Sequence, residues 1–469
     1  MDILLKRFTC LLPIDRARLY RLLLVTLLLS VMSKLVLSVL VMIYYPNGVF
    51  ESSDSVEYHQ LALNLLRHGE FSRSPQAPYE PEIIRTPAYP LLLASLYGIF
   101  GVQPAIIIFV QIALSVATIF IGFKIATFLL HEQAGLLTAA LLAADPVSAY
   151  YTQVLLTETV FTTTVSLCLL LFLHALAEPS RWQWSAGASI CLALSTYIRP
   201  TSYYLGFILP FIFFLMVRPA IGWRHAAKPA LAFFSLYIVL IGGWQLHNYV
   251  QSGSIEFSQT KNQYLFIAKA AAIVAARDNL SLEDAQQRLA AEHFQSIPHD
   301  LRTSSQARLF ESQGKYAMAI IVEHPALFLW TSLRGMVASL FGPSNLSHLF
   351  GLDNVALRSS LLRGNFSGFS PSHWTMAFGS WAYGIVYLII LYLGVLLLFI
   401  RGGFYSQGMV LLIFIVLYVL VLSSGPEAYS RFRLPIMPAL CVMAATGFIH
   451  TFKTAKPQQN LQQQNGAEN

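Results

Sequence analysis

The sequence predicts an all-α polytopic membrane protein, a bundle of about ten to twelve transmembrane helices. Three observations carry that prediction. Hydrophobic residues fill 56% of the 469 positions and charged residues only 11%, whereas a soluble domain carries about 25% charged residues. Apolar runs of roughly 18 or more residues recur along the chain, the length a helix needs to cross a bilayer core. Basic residues gather at the ends of those runs: Lys6, Arg7, Arg16, Arg18 and Arg21 before the first, Arg218, Arg224 and Lys228 between two later ones, Lys453 and Lys456 after the last. Such flanking clusters set topology by the positive-inside bias and place the N-terminus in the cytoplasm. The net charge of +7 therefore belongs to membrane orientation, not to nucleic-acid binding.

Each element follows in order. The run 22–45 is not followed by a small-residue cleavage pattern and reads as a retained anchor. Residues 46–86 form a first external loop. Within it Tyr58, Leu61, Ala62, Leu65 and Leu66 recur at helical spacing on one face, and Gly69 stops the helix. The stretch PAYPLLLASLYGIF (87–100) rises only about 21 Å as a helix, so it is expected to be re-entrant or interfacial. Runs at 103–130, 135–150, 155–176, 182–198, 202–217 and 229–250 complete an N-terminal transmembrane module, 1–250. Residues 251–375 are mainly polar and external, with a surface helix started by Ser281 and Asp284 and a short or re-entrant helix at 326–341. Runs at 376–400, 405–423 and 433–450 close a C-terminal helical block (376–452), and 453–469 is expected to be a disordered cytoplasmic tail. By parity the chain crosses about ten times.

The chemistry-bearing residues sit at run ends. Asp54 stands at the start of the amphipathic helix and has two readings. It is either an N-cap, with Glu57 reaching back from the third helical position, or a catalytic carboxylate. Glu158, in LLTETVF, is either a partner for the helix macrodipole or a functional acid at a membrane boundary. Arg85, Arg199, Arg431 and Arg433 each fit ordinary boundary punctuation. By parity, however, Asp54, Glu158, Arg85, Arg199 and Arg431 converge on one side of the membrane. A carboxylate suits general-base work on a hydroxyl, and arginines suit phosphate. Together they point to chemistry on a lipid-linked phosphate. Cys10, Cys168, Cys191 and Cys441 show neither metal nor disulfide spacing. His174 reads as a packed histidine, and Lys34, mid-span, calls for a partner the sequence does not name. No paired-His spacing or Gly-rich phosphate loop appears.

SDSVEYHQLALNLLRHGEF (53–71) followed by RTPAYPLLLA (85–94), then LLTETVF, YIRPTSYY and SRFRLPIMPALCVMAATG, resembles GT-C-type membrane glycosyltransferases. The nearest branch looks like bacterial relatives of protein O-mannosyltransferases and the lipid A aminoarabinose transferase. The resemblance spans about residues 20–450. It implies a GT-C-type bundle that moves a sugar from a polyprenyl phosphate to an acceptor hydroxyl on a glycolipid, polysaccharide or protein. The reaction is expected at the periplasmic or luminal face with inversion, in a bacterial inner membrane. By the family pattern Asp54 matches the first-loop catalytic carboxylate and Glu158 the acid of the second external loop. Arg85 and Arg199 match basic positions near the donor phosphate. Glu57, Tyr89, Arg431 and Arg433 complete the expected substrate-binding set. The chain departs from the family in carrying Asp-Ser where many members have an adjacent acidic pair, and 251–325 has no counterpart. The expected partners are a polyprenyl-phosphate-linked sugar, the acceptor and membrane lipids. No cofactor is expected beyond that lipid-linked co-substrate, and a divalent metal is left open. A transporter or flippase of lipid-linked sugars, or a ligase or polymerase of whole glycans, is the alternative reading.

Overall fold

The computed structural model describes residues 15–302, 304–342, 344, 346–352, 354–363, 370–402, 406–426 and 429–465, with side chains left aside at 354–356, 358 and 452–465. Among them the N-terminal half runs α1 (Arg16–Tyr44), α2 (Ser53–His68), α3 (Ala88–Phe100), α4 (Pro104–Leu129), α5 (Glu132–Ala143), α6 (Pro146–Tyr151), α7 (Glu158–Ala177), α8 (Trp182–Ile198), α9 (Leu205–Ile221) and α10 (Trp223–Ser252). The middle of the chain contains α11 (Thr260–Tyr264), α12 (Ala271–Asp278), α13 (Leu282–Ser296), α14 (His299–Arg302), α15 (Gln306–Glu323), α16 (Pro325–Phe341) and α17 (Asn354–Leu362). The chain closes with α18 (Pro371–Arg401), α19 (Gln407–Ser423) and α20 (Met437–Asn465).

The fold is an all-α membrane bundle. Among the described residues seven helical segments are long and apolar enough to cross, α1, α4, α7, Pro200–Ile221, α10, α18 and Ser430–Thr451, or eight if α15 and α16 together make one bent span. Two of the remaining three runs become α8 and α19, each 17 residues long, at the lower end of the lengths that span a bilayer. The third, 135–150, is broken. Pro146 lacks the amide hydrogen a continuing helix needs. Asp145 instead restarts the chain by accepting from Val147 N and Ser148 N, both at 3.1 Å. α3 has 13 residues, too few to cross. α15 and α16 meet at a 103° bend, so the apolar α16 turns sharply away from the polar helix before it.

Burial sorts the helices. α1 faces outward along most of its length, while Ser430–Thr451 is almost wholly enclosed. That central helix packs on α18 through small residues: a Cβ on Gly394 would meet Ala444 at 2.8 Å, and one on Gly447 would run into the Gly394 carbonyl. Close backbone approach at small residues is how membrane helices gain packing when lipid offers no hydrophobic driving force. His174 is packed, stacked on Trp184 and edge-on to Phe128. Lys34 finds hydroxyl partners, Ser30 Oγ at 3.0 Å and Ser115 Oγ at 2.7 Å. α20 continues as helix to Asn465 through part of the stretch expected to be disordered. Lys, Ala and Gln there are good helix formers, and a polar composition does not oppose a helix.

Helices of this middle stretch form a small layer of their own. Phe266, Ala270, Val274, Leu289 and Ala317 make its core, and α13 starts as its sequence predicts, with Ser281 Oγ accepting from Asp284 N at 3.1 Å. The layer is stitched to the loop between α2 and α3. Gln259 N donates to Ile83 O at 2.8 Å, and Thr260 Oγ1 donates to Ile84 O at 2.8 Å. Ile83 and Ile84 pack on Ala307 and Phe310 below those bonds. The consequence falls on Arg85, the next residue along.

Candidate active site

Eight charged side chains form one alternating chain: Glu82, Arg73, Glu57, Arg85, Asp54, Arg431, Glu158, Arg199. Arg73 contacts Glu82 and lies 3.1 Å from Glu57 Oε1. Arg85 Nε and Nη2 donate to Glu57 Oε2 at 2.9 and 2.7 Å, and Nη2 also donates to Asp54 Oδ1 at 2.5 Å. Arg431 Nη1 donates to Asp54 Oδ2 at 2.8 Å, while its Nε donates to Glu158 Oε1. Arg199 Nη1 completes the chain on Glu158 Oε1 at 2.6 Å. Arg431 is thus the bridge between the two acids singled out in the sequence.

Local structure aims each member. Asp54 lies in the first turn of α2, but neither caps the helix nor is capped for: the helix begins at Ser53 after Ser52, with no side-chain cap bond. Its carboxylate is turned to the arginines instead, and the N-cap reading fails on geometry. Arg85 sits in a loop whose backbone is held on two sides. Glu82 Oε1 accepts from Ile84 N and Arg85 N at 2.6 and 2.9 Å, and the layer of middle helices holds the carbonyls. Thr86 Oγ1 then donates to Ile198 O at 2.8 Å, which ties the loop to the residue before Arg199 and sets the spacing of the two guanidiniums. Arg85 also lies over the Tyr58 ring, 5.3 Å from its centroid. Glu158 opens α7 and is fully buried, while Arg431 and Arg199 are 11% and 16% exposed. Glu158 Oε2 is buried and has no hydrogen-bond partner among the described residues.

Electrostatics follow from this wiring. Burial pushes the Asp54 carboxyl up, but the Arg431 and Arg85 guanidiniums outweigh it and bring the group down to about 2. Burial also works against the charged form of Arg85, yet Tyr58, Asp54 and Glu57 raise it above its ordinary value. A depressed carboxylate stabilises the fold fully above its unfolded value of about 4 and loses that contribution as pH falls through the folded value. Acid titration of the melting temperature should therefore show Asp54→Asn and wild type diverging above about pH 4 and converging as the pH falls towards 2. A constant difference across that range would contradict the pairing.

Two predicted binding residues lie elsewhere. Tyr89 is fully buried, and its hydroxyl donates to Gln111 Oε1 at 2.9 Å, so it faces the bundle interior. Arg433 is also fully buried and donates to Leu340 O at 2.5 Å and to Ser339 O and Gly342 O at 3.2 and 3.1 Å. It satisfies carbonyls at the C-terminal end of α16, which have no helical partner. Arg431 and Arg433 share the short 3-10 stretch Ser430–Ile436 and point apart because two residues advance about 240° around a three-residue turn. The sequence reading also missed Arg73, Glu82 and Thr86. In a polar loop nothing distinguishes them from solvated side chains. Among the described residues no three His, Cys, Asp or Glu side chains converge into a metal-ligand set, and the acids here are matched by arginines.

Short helices in the first loop, an enclosed last helix and an acid–arginine cluster between them belong to an all-α membrane bundle of GT-C-like fold. The sequence profile described as "Dolichyl-phosphate-mannose-protein mannosyltransferase" matches residues 84–243, which hold Arg85, Glu158 and Arg199. No curated protein matches the chain in sequence. Its fold is similar to that of the archaeal oligosaccharyltransferase AglB from Archaeoglobus fulgidus in complex with an inhibitory peptide and a dolichol-phosphate, with a TM-score of 0.51 and 14% identity over 94% of this chain and 51% of that one. The apo oligosaccharyltransferase of the same organism gives 0.50 and 14%, over 97% and 53%. ArnT from Cupriavidus metallidurans bound to undecaprenyl phosphate gives 0.41 and 10%, over 88% and 77%. The chain spans about half the length of the oligosaccharyltransferases it matches, and at these identities the likeness is one of fold. The resemblance read from the sequence motifs is met by profile and fold alike.

Proposed function

We propose that this protein transfers a sugar from a polyprenyl phosphate to an acceptor hydroxyl at the periplasmic face of a bacterial inner membrane, with inversion. The observation that carries the reading is Arg431, a buried guanidinium shared by Asp54 and Glu158 and flanked by Arg85 and Arg199. The donor's phosphate takes Arg85 and Arg431, for which its oxygens are better geometric partners than a single carboxylate. Asp54, released from two cations, rises from its value of about 2 and becomes a competent base. It takes the proton of the acceptor hydroxyl as that oxygen bonds to the anomeric carbon. The bond from that carbon to the phosphate oxygen breaks, and its electron pair leaves on polyprenyl phosphate, whose added charge the arginines stabilise. Glu158 Oε2, buried without a donor, is available to a sugar or acceptor hydroxyl and orients it.

The test is mass spectrometry of envelope lipids, polysaccharides and proteins from a strain lacking the gene, with and without wild-type complementation. Loss of one sugar-sized mass that wild type restores supports the transfer and identifies the sugar. An unchanged envelope, or translocation of lipid-linked sugar without a new glycosidic bond, overturns it.

A further inference from the structure

Glu158 is placed by a stretch of chain that has no secondary structure to hold it. Residues 152–157 lie between α6 and α7, are almost wholly buried, and make no helical ladder. Backbone carbonyls in such a setting need donors from elsewhere, since neither lipid nor water supplies them. Backbone amides supply some, Leu156 N to Val154 O and Phe161 N to Thr157 O, and one side chain reaches three acceptors near the start of the stretch. Gln111 Nε2 donates to Val154 O at 2.9 Å and Thr152 O at 3.2 Å, and reaches Tyr151 O at 3.4 Å. Gln111 belongs to α4, whose other positions are largely apolar, and it is 1% exposed. Its amide is oriented from the other end by Tyr89, whose hydroxyl donates to Oε1. Tyr89 in turn sets its ring edge-on to Tyr58 at 5.1 Å, the ring that Arg85 covers.

We infer that Tyr89 and Gln111 form a strap that positions Glu158 relative to Arg85. Neither residue touches the charged chain, so both are positioning residues and not catalytic ones. The strap joins the loop bearing the acid to the ring beneath the phosphate-facing arginine, with the Tyr89 hydroxyl and both ends of the Gln111 amide hydrogen-bonded. Loss of the Tyr89 hydroxyl leaves Gln111 free to turn its amide, and loss of the amide takes a donor from Tyr151 O, Thr152 O and Val154 O in the stretch that leads to Glu158. Either change lets Glu158 drift while Arg85 keeps its hold on Asp54 and Glu57. The effect should therefore fall on turnover and spare affinity for the leaving lipid.

This inference rests on the proposed transfer, and the experiment separates the two. Full-length Tyr89→Phe, Gln111→Leu and Glu158→Gln are compared in the complemented deletion strain for restoration of the envelope sugar, and after purification for binding of undecaprenyl phosphate. Tyr387→Phe is the control for a generic loss, because Tyr387 donates to Leu141 O from an equally buried position outside the cluster. Tyr89→Phe and Gln111→Leu should lower turnover about tenfold, the loss of one oriented hydrogen bond, with lipid-phosphate affinity within about twofold of wild type. Tyr387→Phe should change neither. If Gln111→Leu does not fold, Tyr89→Phe carries the test. Strap variants that behave like Tyr387→Phe, or that lose turnover and lipid binding in equal measure, overturn the strap. Wild-type turnover in Glu158→Gln instead overturns the reading of the site.

Discussion

Asp54→Asn should lower sugar transfer by about 10²–10⁴-fold, the usual contribution of a positioned base, while holding undecaprenyl phosphate at least as tightly as wild type does. The sign of the second effect distinguishes a base from a structural anchor. In the empty site Asp54 competes with the donor for Arg85 and Arg431. Removing its charge leaves both guanidiniums to the phosphate, so affinity is unchanged or improved as chemistry disappears. Near-wild-type turnover would end the assignment of the base. Weaker lipid-phosphate binding would end the exchange of arginines from acid to phosphate, because it would mean that Asp54 orders those side chains for the donor.

Arg431→Met should be the most damaging single change to stability. Breaking a buried ion pair by removing one partner costs about 3–5 kcal/mol, because the other charge stays buried. Here one deletion orphans contacts of two acids, one of them fully buried Glu158. The double variant Arg431→Met with Glu158→Gln should melt higher than Arg431→Met alone, since the most deeply buried charge is gone even though Arg199 then loses its carboxylate, yet stay inactive. Arg431→Lys should not restore activity, because a single ammonium cannot replace a planar fork with separate contacts to Asp54 and Glu158. Thermal melts in detergent decide the matter: a double variant no more stable than the single one would show that Glu158 draws its support from Arg199 alone.

The site was legible in the sequence to the extent that charge is conspicuous in an apolar chain. Asp54, Glu57, Arg85, Glu158, Arg199 and Arg431 all join the observed cluster. Each is a costly group at the edge of an apolar run, so position and cost together marked it. Arg433 shows the limit of that signal. It carries the same cost two residues from Arg431 and spends it on helix-end carbonyls, a distinction set by the turn and not by composition. Arg73 and Glu82 were hidden for the opposite reason, since charge in a polar loop is ordinary. Gln111 did leave a trace, as a lone amide in IIIFVQIAL (106–114), though nothing in the run says which carbonyls it serves. The helices were read from their hydropathy, and only the run that breaks at a proline departs from the helix expected there. A run of 16 or 17 apolar residues looks the same whether it spans, tilts or breaks at a proline.

The alternating chain has one further consequence, for how a donor arrives. Its four acids (Asp54, Glu57, Glu82, Glu158) are matched by four arginines (Arg73, Arg85, Arg199, Arg431). Seen from beyond about 10 Å, the Debye length of dilute salt, such a cluster presents almost no monopole. Long-range attraction of anions needs an unbalanced field, and this site lacks one until a phosphate is near enough to break a pair. On the proposed function, the encounter is then set by a lipid-borne substrate moving in the plane of the membrane. Soluble phosphates in the surrounding water, anionic but without a tail to keep them in that plane, gain no comparable advantage at the arginines.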